Sequence, residues 1–267
     1  MKIDSTQHYK MPILLGPLYN RAAAPRLRYP RVEILAYQYM TDPNALEALL
    51  PVWYHLGKEP LVTVTFAEVN DISFMAGGGF RTASIQVEAR FDGKQDHVTG
   101  DYFLVRFVNQ TWPIITGRED AGISQLYADI SGIKLMPDSH LRCEASYWGH
   151  MLFGLDVPPI NKQIGVVRAV ISRQTNSRMW LAHKYIPSLE GPADADYATM
   201  IKLDTSIKQL WMGKRANLRF GTARMEDIGM IKKLIDALAT LTILRPVQVL
   251  HYHGSAVERY DLLRRLK

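Results

Sequence analysis

The sequence predicts a mainly β fold of the α+β kind: a closed or strongly coiled antiparallel β-barrel with a few packing helices. Three observations point there. Most segments are short runs of β-branched and aromatic residues, set off by Gly, Asp or Asn. Several alternate apolar with polar residues, as Ser84-Ile85-Gln86-Val87-Glu88 does, which is the period of a half-buried strand. Helical periodicity is confined to a few stretches, and these do not alternate with strands as a βαβ fold requires. Such an architecture often encloses a small-molecule cavity.

Along the chain, VEILAYQYM (32–40) reads as the first long strand. TDPNALEALLP follows as a helix, with Asp42 or Asn44 as its cap, Leu46, Leu49 and Leu50 on its apolar face and Pro51 as its stop. Strands are predicted over LVTVTFAEV (61–69), TASIQVEARF (82–91) and DYFLVRFV (101–108). The Asp92-Gly93 pair in FDGKQ (91–95) joins the last two as a hairpin. MAGGGF (75–80) is Gly-rich, but no phosphate-binding helix follows, so it reads as a flexible loop over the cavity mouth. GVVRAVISR (165–173), SRMWLAHKYI (177–186) and ATMIKLDTSI (198–207) complete the strands. MEDIGMIKKLIDALATL (225–241) puts Ile228, Ile231, Leu234, Ile235 and Leu238 on one helical face. Ala256 to Leu266 reads as a terminal docking helix with a solvated charged face.

Composition narrows the function classes. The chain has 267 residues, 47% hydrophobic and 22% charged, which excludes a disordered or fibrous protein. Residues 1–267 are read as one domain, long enough to bury a core without staples. A lone cysteine, Cys143, precludes an intramolecular disulfide and reads as a core or interface residue. The N-terminal apolar stretch is broken by Lys10, Pro12, Gly16 and Pro17, unlike a secretory signal. No window approaches a membrane span, so neither a membrane nor a secreted location is expected, and the cytoplasm is. The formal charge of +6 is spread along the chain with acidic residues beside it, and no binding motif accompanies it, so no nucleic-acid partner is expected.

The most informative stretch is GDYFLVRFVNQTWPIITGREDAGISQLYADI (100–130). It resembles the acetoacetate decarboxylase family: Gly117, Arg118, Glu119, Gly122, Ala128, Asp129 and Ile130 fall in register without a gap. Asn44 to Pro51, KYIPSLEG (184–191), Trp211-x-Gly213 and RPVQVLHY are similar to further family segments in the same order. The resemblance implies an acetoacetate decarboxylase-like β-barrel, a small-molecule organic acid as ligand and a homo-oligomer. It also implies where the chain departs from the family. The family's first lysine attacks a ketone as a Schiff base, and its second lysine activates the first by like-charge repulsion. Gln125 and Leu126 stand at those positions, Ser124 replaces the preceding proline, and Thr82 replaces the carboxylate helper. A carboxamide is not nucleophilic, so that reaction does not carry over.

The expected function is therefore a lyase-type reaction (decarboxylation, dehydration or ring opening) without a Schiff base. Its substrate would be a hydrophobic, aromatic or polyketide-like organic acid that carries its own electron sink. Gln125 and Tyr127 would polarise an oxygen, and Glu68 would shuttle a proton. Arg118 and Glu119 would act at the turn, as scaffold or directly. Arg31, Thr82, Tyr102, Phe107 and Ser124 would contact the substrate, Arg31 through its carboxylate. Trp112, Tyr147 and Trp148 are further pocket candidates. Against this stand several alternatives: Gln125 as a satisfied polar group of a decayed site, and Glu68 with Arg31 as a structural ion pair. At the level of function they are a non-catalytic binding protein, or a Schiff-base enzyme using Lys134 or Lys184. His251 and His253 place two imidazoles on one strand face, but spacing offers no third ligand, so no metal and no other cofactor is expected.

Overall fold

Alternation governs what the chain builds. The structure is a computed structural model describing residues 3–164, 167–171 and 177–267. Its strands begin with β1 (Gln7–His8), β2 (Tyr19–Asn20), β3 (Arg26–Met40), β4 (Tyr54–Leu56), β5 (Leu61–Asn70), β6 (Phe80–Asp92), β7 (His97–Val108) and β8 (Gln125–Tyr127). After these come β9 (Asp129–Ile130), β10 (Lys134–Leu135), β11 (Leu141–Tyr147), β12 (His150–Val157) and β13 (Asn161–Gln163). The last are β14 (Ser177–Ile186), β15 (Ala195–Gly213), β16 (Asn217–Phe220) and β17 (Arg245–Arg265).

A ten-stranded sheet runs β4-β6-β5-β3-β17-β15-β14-β7-β8, with β13 on β15, and the extra pairing of β6 with β7 closes seven of these strands into a ring. The mainly β prediction stands. The sheet is not wholly antiparallel, however: β14 meets β7, and β7 meets β8, in parallel. A five-stranded sheet of β9 to β12 and β16 covers one side. Between the two sheets lies the main core, where Phe153 packs against Phe66 and Phe107 at ring separations of 5.5 and 6.1 Å. Fully burying one such side chain is worth about 2–3 kcal/mol.

Several boundaries follow from local chemistry. Asp42, not Asn44, caps the helix Pro43–Glu47, its carboxylate accepting from Ala45 N at 2.8 Å. The stretch 225–241 is two helices, Met225–Ile228 and Ile231–Ala239, because Gly229 takes φ 59° and ends the first. The expected terminal helix is corrected: residues 256–266 lie largely within β17, a 21-residue strand. Its charges had suggested a solvated helical face, yet Ala256, Glu258 and Tyr260 are buried at a period of two. Arg264 then pairs with Asp96 at 2.8 Å in the β6–β7 turn, fastening the last strand to that hairpin. Of the expected strand 165–173, residues 167–171 are helical and the others lie outside the described residues. No helix among the described residues is long and apolar enough to cross a membrane.

A two-chambered candidate active site

Seen from the ring, side chains of each strand alternate between the inter-sheet core and the interior. Thr82, Ser84 and Gln86 of β6 face inward with Thr65 and Ala67 of β5, lining an inner chamber of about 70 Å³. An outer chamber of about 170 Å³ adjoins it, walled by Leu27, Phe74, Trp112, Pro113, Ile123 and Ile201 among others. Both chambers share Tyr29, Phe80, Arg106 and Glu258 as walls. Phe74 precedes the Gly-rich stretch 75–80 and Phe80 ends it, so the predicted loop borders the cavity.

Arg106 reaches this boundary because of a register shift between β6 and β7 at Ile85/Gln86, which brings Phe103 and Arg106 onto one face three residues apart. Its guanidinium sits 5.0 Å over Trp180 and 5.8 Å over Phe103. The carboxylate nearest to it is Glu258, at 3.8 Å, beyond hydrogen-bond range. Tyr29 donates to Glu258 at 3.0 Å. Burial pushes the Glu258 carboxyl above its ordinary range, although Arg106 and the Tyr29 hydrogen bond oppose the rise. Burial likewise pushes the Tyr29 and Tyr260 phenols well up, so they stay neutral donors.

The outer chamber holds a second charged group. Lys10 is buried, and its Nζ lies 2.6 Å from Asp120 Oδ1, with the two side chains 2% and 3% exposed. The contact is too bent for a hydrogen bond, and Nζ has no other partner among the described residues. His8 also meets Asp120 Oδ1, at 2.8 Å, and stacks on Tyr19 at 4.6 Å. The β1–β2 ladder thus brings a cation to the cavity from a segment remote in sequence.

Gln125 is 2% exposed and forms part of the outer wall. In the orientation that satisfies its amide, nitrogen donates to the carbonyls of Pro113 at 2.8 Å and Ile114 at 3.2 Å. Its donors therefore engage the helix Thr111–Thr116 (which supplies Trp112 to the wall), and what it can offer a ligand is an acceptor. Arg118 donates to the Gln125 carbonyl at 3.0 Å, which holds β8 in place. A Cβ on Gly117 would fall 2.2 Å from the Gln125 carboxamide. Gly117→Ala is expected to lower stability by about 1–3 kcal/mol through overpacking. Thermal unfolding of Gly117→Ala, Gln125→Ala and the double variant checks this. The loss should shrink when the alanine at 117 is introduced beside Gln125→Ala.

The remaining predicted residues are dispersed. Thr82 lines the inner chamber. Glu68 faces away from the cavity, meeting Arg81 at 2.9 Å and the Ile133 amide at 2.7 Å. Arg31 lies on the surface and pairs with Asp71 at 3.1 Å, so the Glu68–Arg31 ion pair does not form. Tyr102 and Phe107 face the inter-sheet core, Tyr102 against Tyr54 at 4.7 Å. Tyr127 is 45% exposed and donates to Asp129 at 2.7 Å. Ser124 contributes its carbonyl to the Arg106 amide at 2.9 Å. Glu119 carries its carbonyl against Lys184 Nζ and its carboxylate 3.4 Å from the Met11 amide. Lys134 is exposed on β10. Tyr147 and Trp148 pack against each other with tilted rings 4.6 Å apart, where β11 turns into β12. Cys143 is buried in the core.

Sequence reasoning missed Lys10, Tyr29, Arg106, Asp120 and Glu258. Two of them carried a signal. Arg106 is a charge inside the apolar run FLVRFV, and Glu258 falls on the buried phase of SAVERY.

Comparison with curated proteins returns no match. Among solved structures, one described as "Structural Studies of Acetoacetate Decarboxylase" superposes with a TM-score of 0.74 at 19% identity, covering 100% of this chain and 98% of that one. Acetoacetate decarboxylase from Legionella pneumophila gives 0.73 at 20% identity, with the same coverage. The enduracididine biosynthesis enzyme MppR, complexed with the condensation product of pyruvate and imidazole 4-carboxaldehyde, gives 0.69 at 15%, covering 99% and 98%. At these identities the likeness establishes the fold. The family profile for acetoacetate decarboxylase matches residues 10–264, and the chain therefore belongs to the acetoacetate decarboxylase family.

Proposed function

We propose that the protein is a lyase acting, without a Schiff base at position 125, on a hydrophobic organic acid whose carboxylate is held by Arg106 and whose proton is moved by Glu258. One observation carries this reading: a buried guanidinium at the junction of two apolar chambers, with no carboxylate among the described residues within hydrogen-bond range. A ligand carboxylate would complete it with charge-assisted, bidentate hydrogen bonds. Family membership supports a catalytic role.

The same geometry discriminates among lyase reactions. An ion pair to the substrate carboxylate stabilises the charged ground state more than a transition state approaching neutral CO2, which opposes decarboxylation. With the carboxylate retained, Arg106 instead stabilises the negative charge that builds on it when the adjacent carbon loses a proton. Glu258 takes that proton, and the electron pair forms the C=C bond as the β-oxygen leaves. Glu258 then returns the proton to the leaving oxygen, so that water or a ring-opened hydroxyl is released and the carboxylates of Glu258 and of the product are restored. Burial makes the ionised Glu258 a stronger base than an exposed glutamate.

A second reading has its own observation in Lys10, which among the described residues is the lysine that lines the cavity. Lys184 is tied to the Glu119 carbonyl and Lys134 is exposed, so a relocated Schiff base would fall on Lys10. Nζ is engaged with the Asp120 carboxylate at 2.6 Å, which favours the non-covalent reading. The test is a panel of aromatic and aliphatic β-hydroxy acids in D2O, followed by NMR. Wild type should exchange or eliminate at the carbon next to the carboxylate. Glu258→Gln should slow this about 10²–10⁴-fold and still bind. Equal rates in the two proteins would overturn the role of Glu258. Borohydride trapping of Lys10 by a keto acid would establish the second reading, and tight binding without turnover would make the chain a carrier.

A further inference from the structure

We propose that Glu33, His251 and His253 form a site for a divalent transition metal of the zinc class, on the face of β3 and β17 turned away from the cavity. The alternation of the two strands places it there. Val32 and Ile34 on β3, and Ala256 and Glu258 on β17, line the inner chamber, whereas Glu33, His251 and His253 have the opposite phase. His253 stands directly across from Glu33 in the ladder. The third ligand that the H-x-H spacing lacked is supplied by the neighbouring strand.

The geometry suits a small tetrahedral ion. One ligand atom from each residue lies within 4.8 Å of the other two. Glu33 Oε1 is 3.4 Å from His253 Nε2 and 2.7 Å from His251 Nε2. A tetrahedral zinc ion with bonds of about 2.0–2.1 Å keeps its ligand atoms about 3.3 Å apart. The distance to His253 is already there, and the distance to His251 opens by about 0.6 Å as a hydrogen bond gives way to coordination. His253 Nε2 is sealed from solvent and makes no hydrogen bond, an orphaned nitrogen that a metal would satisfy. Two imidazoles and one carboxylate are a recognised zinc set. Trp211 packs against both rings, at 5.1 Å from His251 and 5.2 Å from His253. Lys162 Nζ lies 5.7 Å from the centroid of that indole.

The experiment uses the full chain stripped of metal by chelator. Titration with zinc chloride in a calorimeter should show one-to-one binding in the micromolar range or tighter, and a rise in Tm with zinc concentration. Glu33→Gln and His253→Ala should each weaken binding at least tenfold, with apo Tm values showing that both fold. Nickel chloride should quench indole fluorescence in wild type. Trp211→Phe should abolish that quenching and still bind zinc. Binding weaker than about 100 µM in wild type, or variants that bind as wild type does, would overturn the proposal.

Discussion

Replacing Arg106 by methionine is expected to weaken the binding of carboxylate ligands about 100-fold, which corresponds to roughly 3 kcal/mol. The guanidinium is buried at the meeting of the two chambers and is poised to give two parallel hydrogen bonds. Arg106→Lys restores the charge without the planar fork, and should recover only part of the affinity. Isothermal titration with an acid from the panel and with its neutral amide separates the effects, because the amide should bind both proteins alike. An unchanged acid affinity would remove Arg106 from the site. The substitution also has a pH signature. Arg106 now draws the Glu258 carboxyl down against burial, so its loss lets that group rise further. The folded variant then holds its proton to higher pH than the unfolded chain does. Stability is therefore fully present below the unfolded value, and is lost as pH rises through the folded one. Tm of Arg106→Met should fall relative to wild type between acidic and neutral pH, and Glu258→Gln in the same background should abolish the difference.

Asp120→Ala is expected to be the most destabilising single change at the cavity. It leaves the Lys10 ammonium buried without its counter-charge, a loss of about 3–5 kcal/mol for a pair sealed from solvent. The segment carrying Lys10 is held by a two-residue ladder, however, and can undock before the ring unfolds. The larger readout should then be local. Hydrogen exchange and proteolysis over residues 3–25 should rise strongly, while the strands of the ring keep most of their protection. Lys10→Met in the same background removes the stranded charge and should restore protection. If exchange and Tm both match wild type, Lys10 and Asp120 are not the buried pair described above.

Most of the long strands were legible as runs of β-branched and aromatic residues between turn residues; SRMWLAHKYI is found as Ser177–Ile186 without a shift. β17 was hidden by its charges, since a glutamate facing a cavity looks like one facing water until the partner strands are known. The cavity wall was legible at Gln125, Thr82 and Trp112, which belong to the stretch and hairpin that the family resemblance singled out. Arg106 carried only the signal of a charge in an apolar run, because a register shift resets which face its side chain takes, and Lys10 was illegible, since it arrives from an element that packs only through tertiary contact. Glu68 shows the converse: its strand was read correctly, but the phase of that strand turns it to the other side of the sheet.

The ring also imposes an order of events on synthesis. β3 pairs along one edge with β5, a close neighbour in sequence, and along the other with β17, about 200 residues further on. A ribosome therefore emits β3 long before the segment that seals its second edge. In the interval that edge is a bare template for pairing with another nascent chain. Rapid translation or crowding should expose this hazard first, and a chaperone that shields strand edges would matter more to the yield of this protein than to its final stability.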